Sequence, residues 1–92
     1  MKRLDEKEIK SHLKDTHEWL FEENMIKREF SFDDFRKALE FVNKVGKIAE
    51  DDNHHPDVYI FYNKVILKLS THSIDGLSEK DFILARKINK LL

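Results

Sequence analysis

The sequence predicts an α+β fold: a four-stranded antiparallel sheet with three helices packed on one face, in the order α-β-β-α-β-β-α. Three segments carry apolar residues at helical spacing, and they alternate with two pairs of segments rich in β-branched and aromatic residues. Each strand pair is joined by a short polar turn, which favours antiparallel hairpins. The free edges of such a sheet invite pairing with a second copy of the chain.

The bulk composition indicates a globular protein of one domain, residues 1–92. The formal net charge is -1, so the chain lacks the basic excess that nucleic-acid binding needs. Because there is no cysteine, disulfides, thiolate nucleophiles and cysteine-ligated zinc sites are excluded. The start, "MKRLDEKEIK", has no secretory apolar run and no stretch approaches a membrane span, so we expect a cytoplasmic protein without membrane contact.

The first three elements are a helix and a hairpin. The segment "LDEKEIKSHLK" predicts a short helix that Asp5 can cap. The segments "EWLFEE" and "MIKREFSF" predict two strands, because their apolar residues alternate, and they are joined near Glu23-Asn24.

The clearest helix is "SFDDFRKALEFVNKVGKIAE", residues 31–50. Its predicted core-facing residues follow the helical spacing and are Phe35, Ala38, Leu39, Val42, Val45 and Ala49. Phe41 lies off this stripe, so the pattern makes it either a candidate for an exposed apolar side chain or a residue at the periphery of the core. The helix must end before Pro56, because a proline pushes the preceding residue out of the helical region.

The second hairpin and the last helix complete the order. The strands "DVYIFY" and "VILKLST" are predicted to join at Asn63-Lys64. Period-two alternation then puts His72 on the more polar face at the end of the second strand. In "LSEKDFILARKINKLL", Ser78 caps a helix and Asp81 completes the capping box three residues later.

The stretch "AEDDNHHPDVYIFY", residues 49–62, sets His54 and His55 between three acids and the only proline. Three explanations fit this pattern. A metal site would use these imidazoles with His72, but adjacent residues in an extended chain point to opposite sides unless the loop bends. An acid/base site would use the same three rings, because histidine titrates near neutrality. A solvated helix end would use the histidines only to interact with the helix dipole.

The order of the motifs resembles the pterin-4a-carbinolamine dehydratase family. The matching pieces are "E-D-D-N-H-H-P-D", "Y-N-K-V", "L-S-T-H" and "G-L-S-E-K-D-F-I-L-A", which run from Glu50 to Ala85. The weaker pieces "F-S-F-D-D-F" and "A-L-E-F-V" extend the likeness upstream, and Trp19 fits a tryptophan near the first strand. The resemblance implies the same four-stranded sheet with three helices.

The resemblance implies dehydration of 4a-hydroxytetrahydropterin to quinonoid dihydropterin, in tetrahydrobiopterin recycling. It implies no metal and no organic cofactor, a small-molecule pterin as the partner, and a homodimer or homotetramer. His54, His55 and His72 are then the catalytic residues, with His54 and His72 transferring protons and His55 holding the pterin. The predicted substrate-binding residues beside them are Glu50, Asn53, Pro56, Ser70, Thr71 and Asp81. Glu50 is expected to support a histidine, Pro56 to set the bend, and Asp81 to be functional or to serve as a helix cap.

Three positions depart from the family pattern. Asn53 stands where many members have Asp, Val58 where many have an aromatic residue, and Glu18 where Gly precedes the tryptophan. These departures bear on affinity and substrate range more than on the reaction class. Two other functions stay open: a non-enzymatic protein-binding module, like a transcriptional coactivator that stabilises a partner's dimer, and a metal-dependent hydrolase.

Overall fold

The chain has the predicted order of elements, and the computed structural model describes all of residues 1–92. The helices are α1 (Glu6–Lys14), α2 (Phe35–Asp52) and α3 (Glu79–Asn89). The strands are β1 (Leu20–Glu22), β2 (Met25–Ser31), β3 (Asp57–Phe61) and β4 (Lys64–Leu69), and a 3₁₀ turn, His72–Ile74, precedes α3. The predicted fold class is confirmed. None of the three helices is long and apolar enough to cross a membrane.

The four strands form one antiparallel sheet in the order β1-β2-β4-β3. Glu23 and Asn24 connect β1 to β2 with φ angles of 51° and 63°, as a tight hairpin turn requires. β3 pairs with β4 from Asp57 opposite Lys68 to the far end of the hairpin. This register brings the segment before Asp57, which carries the two adjacent histidines, beside the segment that follows β4.

The helices cover the apolar face of the sheet. The inward side chains of the two central strands pair across the sheet, with Ile26 opposite Leu69 and Phe30 opposite Val65. The buried helical residues that pack against them are Ala38, Phe41, Val45, Phe82, Leu84, Ala85 and Ile88. Burial of each large apolar side chain stabilises the fold by about 1.5–3 kcal/mol, so this layer supplies the main driving force.

The core-facing stripe of α2 differs from the predicted one. Phe41 is buried and its ring centroid lies 4.7 Å from that of Phe30 and 5.0 Å from that of Phe32. Phe35 and Leu39 were predicted to face the core, but they are 46% and 42% exposed. The residues that α2 buries are Ala38, Phe41, Val45 and Ala49. The prediction was wrong for Phe35 and Leu39, and Phe41 takes the core position. The rings of Phe30 on β2 and Phe32 just after it pack against Phe41, which turns this side of the helix toward the sheet.

The second hairpin turns one residue earlier than predicted. Tyr62 and Asn63 form the loop, and Lys64 already pairs with Phe61. Tyr62 carries the positive φ of 45°. The Asn63 amide donates to the carbonyl of Phe32 at 3.1 Å, and the Phe32 N–H donates to the Asn63 carbonyl at 2.8 Å. These two bonds tie the turn to the end of β2 and fix its position.

Candidate active site

The end of α2 positions the two adjacent histidines. Asn53 adopts the left-handed conformation, with φ 49° and ψ 42°, and its N–H donates to the carbonyls of Ala49 and Glu50. Asparagine is one of the few residues other than glycine that enters this region at low cost. The helix therefore ends at this residue, and His54 and His55 follow in a bent connection to β3.

A second short loop positions His72. β4 ends at Leu69, so His72 lies in the 3₁₀ turn beyond the strand and not on the strand itself. The loop closes where the Thr71 N–H donates to the Gly76 carbonyl at 2.8 Å. Asp75 has a φ of 48°, which allows the chain to reverse within these few residues. His72 is thereby held next to the connection that carries the other two histidines.

The three imidazoles line one cavity of about 310 Å³. This volume lies at the lower end of the range of small-molecule sites. Six of the predicted site residues line it, namely Asn53, His54, His55, Ser70, Thr71 and His72. The structure therefore brings together side chains from the α2–β3 connection and from the end of β4.

His54 is held by a buried carboxylate. Its Nε2 lies 2.5 Å from Oδ1 of Asp81, and the two side chains are 12% and 0% exposed. The other oxygen of Asp81 accepts from the Thr71 hydroxyl at 2.8 Å and from the Ser78 N–H at 3.0 Å. With Nε2 engaged by an acceptor, Nδ1 is the ring nitrogen left free to take a proton.

The other two histidines have different surroundings. His55 forms a hydrogen bond through Nε2 with Oε2 of Glu50, and both side chains are largely exposed. An exposed pair of this kind contributes little to stability. His72 is exposed and is not bound to a carboxylate. The three rings thus differ in burial and in partner.

Three predicted site residues do not line the cavity. Glu50 lies outside it and contacts His55, and Pro56 shapes the bend without reaching it. Asp81 lies behind His54, where it is both the capping-box residue of α3 and the partner of His54. The two expected roles of Asp81, functional and capping, therefore coincide in one carboxylate.

Three residues line the cavity that the sequence reasoning did not select. They are Met1, Ser73 and Lys80. Ser73 follows His72 directly and Lys80 precedes Asp81 directly, so adjacency to predicted residues was the available signal. Nothing in the sequence indicated that Met1 would line the cavity, because its position there depends on how the segment before α1 packs. That segment is held where the Leu4 N–H donates to the Leu77 carbonyl at 2.8 Å.

A larger cavity of about 760 Å³ lies elsewhere, between α1 and the turn that joins β1 to β2. Its lining includes Ile9, Leu13 and Phe21 and contains no histidine. We assign the candidate site to the smaller cavity, because side chains able to transfer protons at neutral pH converge there. Nowhere do three or more histidine, aspartate or glutamate side chains form an arrangement that could hold a metal ion.

Comparison with known proteins places the chain among its relatives. The family model described as pterin 4 alpha carbinolamine dehydratase matches residues 2–91. A protein from Sulfolobus acidocaldarius is 49% identical over 89 residues, 97% of this chain and 98% of its own length. One from Sulfurisphaera tokodaii is 49% identical over 92 residues, 100% of this chain and 99% of its own length. Both are provisionally named pterin-4-alpha-carbinolamine dehydratase.

Two solved structures share the fold. The crystal structure of a transcriptional coactivator/pterin dehydratase from Brucella melitensis has a TM-score of 0.91 and 36% identity, with 97% of each chain covered. A pterin dehydratase-like protein identified as a RuBisCO assembly factor in the alpha-carboxysome has a TM-score of 0.65, covers 79% of this chain and 84% of its own, and at 16% identity supports the fold alone. The family match spans the whole fold and includes the histidine cavity, so this chain belongs to the pterin-4a-carbinolamine dehydratase family.

Proposed function

We propose that this chain catalyses the dehydration of 4a-hydroxytetrahydropterin to quinonoid dihydropterin, as a step of tetrahydrobiopterin recycling. The observation that carries the proposal is the convergence of three imidazoles on one cavity. The C4a–O bond breaks and the hydroxyl leaves as water after taking up a proton. N5 loses its proton, and the electrons of the N–H bond form the C4a=N5 double bond. One acid and one base therefore suffice.

The surroundings of His54 and His72 support a division of these roles. Asp81 accepts a hydrogen bond at Nε2 of His54 and stabilises the imidazolium that forms when Nδ1 takes a proton. His54 then acts as the base toward N5. His72, which is exposed and exchanges protons with water, acts as the acid toward the leaving hydroxyl. His55 is assigned to holding the pterin, with Asn53 and Ser70 beside it in the cavity.

The dehydration rate tests this proposal. The protein would be mixed with freshly generated 4a-hydroxytetrahydropterin between about pH 7 and 8.5, just above the pKa of about 6.5 of a free imidazole, and the ultraviolet absorbance followed. The expected result is a rate well above the spontaneous one and proportional to protein concentration. A rate equal to the spontaneous one at every pH would overturn the proposal.

A cytoplasmic location stays a prediction, which fractionation of the host would test.

A second candidate function is protein binding through α2. Phe35 and Leu39 are 46% and 42% exposed, and they lie four residues apart on one face of the helix. An exposed apolar stripe of this kind suits a partner helix or a second copy of the chain, and so also suits the predicted homodimer or homotetramer. Sedimentation of the native protein and of Leu39→Glu tests this. A sedimentation coefficient unchanged by the substitution would count against the α2 stripe as the interface between copies.

A further inference from the structure

The histidine cavity carries positive and neutral groups only. The titratable side chains that line it are the three imidazoles and the ammonium of Lys80. The two carboxylates nearest to the imidazoles do not reach the cavity, because Asp81 is bound behind His54 and Glu50 is bound to His55 outside it. Asp57 and Asp75 line a neighbouring hollow that shares Ser70 and His72, so the nearest further carboxylates lie on the side of His72, and no carboxylate lines the histidine cavity itself.

Lys80 is a free cation at this cavity. Five other lysines form ion pairs within 4.0 Å, namely Lys2, Lys10, Lys27, Lys37 and Lys87, but Lys80 forms none. It is exposed, and it lies on the first turn of α3, one residue before the buried Asp81. The turn is fixed by the capping box of Ser78 and Asp81, so the start of the Lys80 side chain has a defined place in the lining of the cavity.

The neighbouring carboxylates do not cancel this charge. Lys80 also lines a second small cavity with Glu8 and Glu79. Glu8 is already paired with Lys2 at 2.7 Å. Glu79 does not line the histidine cavity, and it forms no ion pair with Lys80. Glu79 nevertheless lowers the local potential, which makes it a useful second position for a test.

We propose that the substrate is a reduced pterin whose side chain ends in an anionic group, a phosphate or a carboxylate, which the Lys80 ammonium binds. This inference rests on the proposed function. The bicyclic ring would lie among the imidazoles and the charged substituent would extend toward Lys80. A neutral polyol side chain would use the hydroxyl of Ser73 but would leave the Lys80 ammonium without a partner. The ion pair selects between pterins and does not take part in bond breaking.

Binding of 7,8-dihydropterins tests the proposal without turnover, because they carry no hydroxyl at C4a that could leave. The dissociation constants of dihydroneopterin, dihydroneopterin 3′-phosphate and dihydrofolate would be measured by fluorescence at low ionic strength. Because one exposed ion pair is involved, we expect an anionic ligand to bind about threefold to fivefold more tightly than the neutral one. The preference should fall as salt is added, since screening weakens exposed charges. The better of the phosphate and carboxylate ligands identifies the source of the anion.

Three variants make the test specific. Lys80→Gln should remove the preference and leave the affinity for neutral dihydroneopterin unchanged. Lys90→Gln, an exposed lysine at the other end of α3 that is also unpaired, should keep the preference. Glu79→Gln should increase it. Equal binding of neutral and anionic ligands by the native protein, or a preference that survives Lys80→Gln, would overturn the inference while leaving the dehydratase proposal intact. Failure of all three ligands to bind would overturn the inference, whereas the dehydration rate tests the proposed function separately.

Discussion

His54 and Asp81 form a buried pair in which the ring Nε2 lies 2.5 Å from a carboxylate with no solvent exposure. The carboxylate is fully hydrogen-bonded, because its second oxygen accepts from Thr71 and from the Ser78 N–H. The pair connects α3 to the segment after α2, two elements separated by the whole second hairpin. One residue thus caps a helix and orients a ring that lines the cavity.

Replacing Asp81 by asparagine tests this orientation. The amide keeps the size of the carboxylate, and its oxygen can still accept from Ser78, but its NH₂ group donates to His54 and reverses the ring tautomer. By comparison with other histidines that depend on a carboxylate, we expect the dehydration rate to fall by about 10²–10⁴-fold. Nitrogen NMR of the ring should report the changed tautomer. Glu50→Gln is the matched control, and its exposed pair predicts a loss within about fivefold.

Removal of single imidazoles tests the assignment of roles. We expect His54→Ala and His72→Ala each to lower the dehydration rate by about 10²–10⁴-fold, because each removes one proton transfer. His17→Ala is the control, since His17 is exposed and lies outside the cavity. Initial rates with the same pterin preparation measure all three variants. Equal rates in His17→Ala and His54→Ala would contradict the roles proposed above.

Phe41 and Phe35 provide a paired test of the core. Phe41 is 5% exposed and Phe35 is 46% exposed, although both lie on α2. We expect Phe41→Ala to lower the free energy of unfolding by about 3–5 kcal/mol. Phe35→Ala should cost less than about 1 kcal/mol in the separated monomer, because its side chain is already largely in water. Urea denaturation at low protein concentration measures both, and a reversed order would contradict the structure.

Much of the fold follows from local pattern. The helices, the strands and the capping box of Ser78 and Asp81 rest on short-range spacing and hydrogen bonds, so the sequence alone predicts them. The rotation of α2 could not be predicted, because it depends on where the rings of Phe30 and Phe32 meet Phe41 between the helix and the sheet. The place of Lys80 in the cavity lining was missed for a similar reason. The choice between a functional and a capping role for Asp81, which lies behind His54, was left open for that reason too. Their positions depend on how the start of α3 docks against the end of α2.

Glu18 provides a test of a departure from the family pattern. Its φ of 71° is the conformation that glycine adopts at little cost and that other residues adopt at a cost of about 1–2 kcal/mol. Relief of this conformational cost stabilises the folded state. Because glycine gives up more freedom on folding, part of the gain is lost, and we expect Glu18→Gly to raise the free energy of unfolding by roughly 0.5–1 kcal/mol. In the control Glu29→Gly, at an exposed strand position of β2, the same change should destabilise the protein. Thermal denaturation distinguishes the two signs.

The pKa of Glu8 gives a prediction about pH. The Lys2 ammonium donates to this carboxylate at 2.7 Å and, with the Asp5 N–H as a second donor, holds the pKa of Glu8 below its ordinary value. A lowered folded-state pKa stabilises the protein above the unfolded-state pKa, and this contribution is lost as pH falls through the folded-state pKa. Carbon NMR titration should show the pKa rising in Lys2→Met but not in Lys10→Met. Lys10 pairs with Glu6 instead.

A crystal structure with a bound reduced pterin tests the central claim most directly. The claim is that the cavity lined by His54, His55 and His72 holds the heterocycle for proton transfer. We predict the C4a–N5 edge within about 2.6–3.2 Å of ring nitrogens of His54 and His72, the reach that proton transfer needs. A pterin bound instead in the larger cavity beside α1, or with its C4a–N5 edge turned away from both rings, would contradict the account.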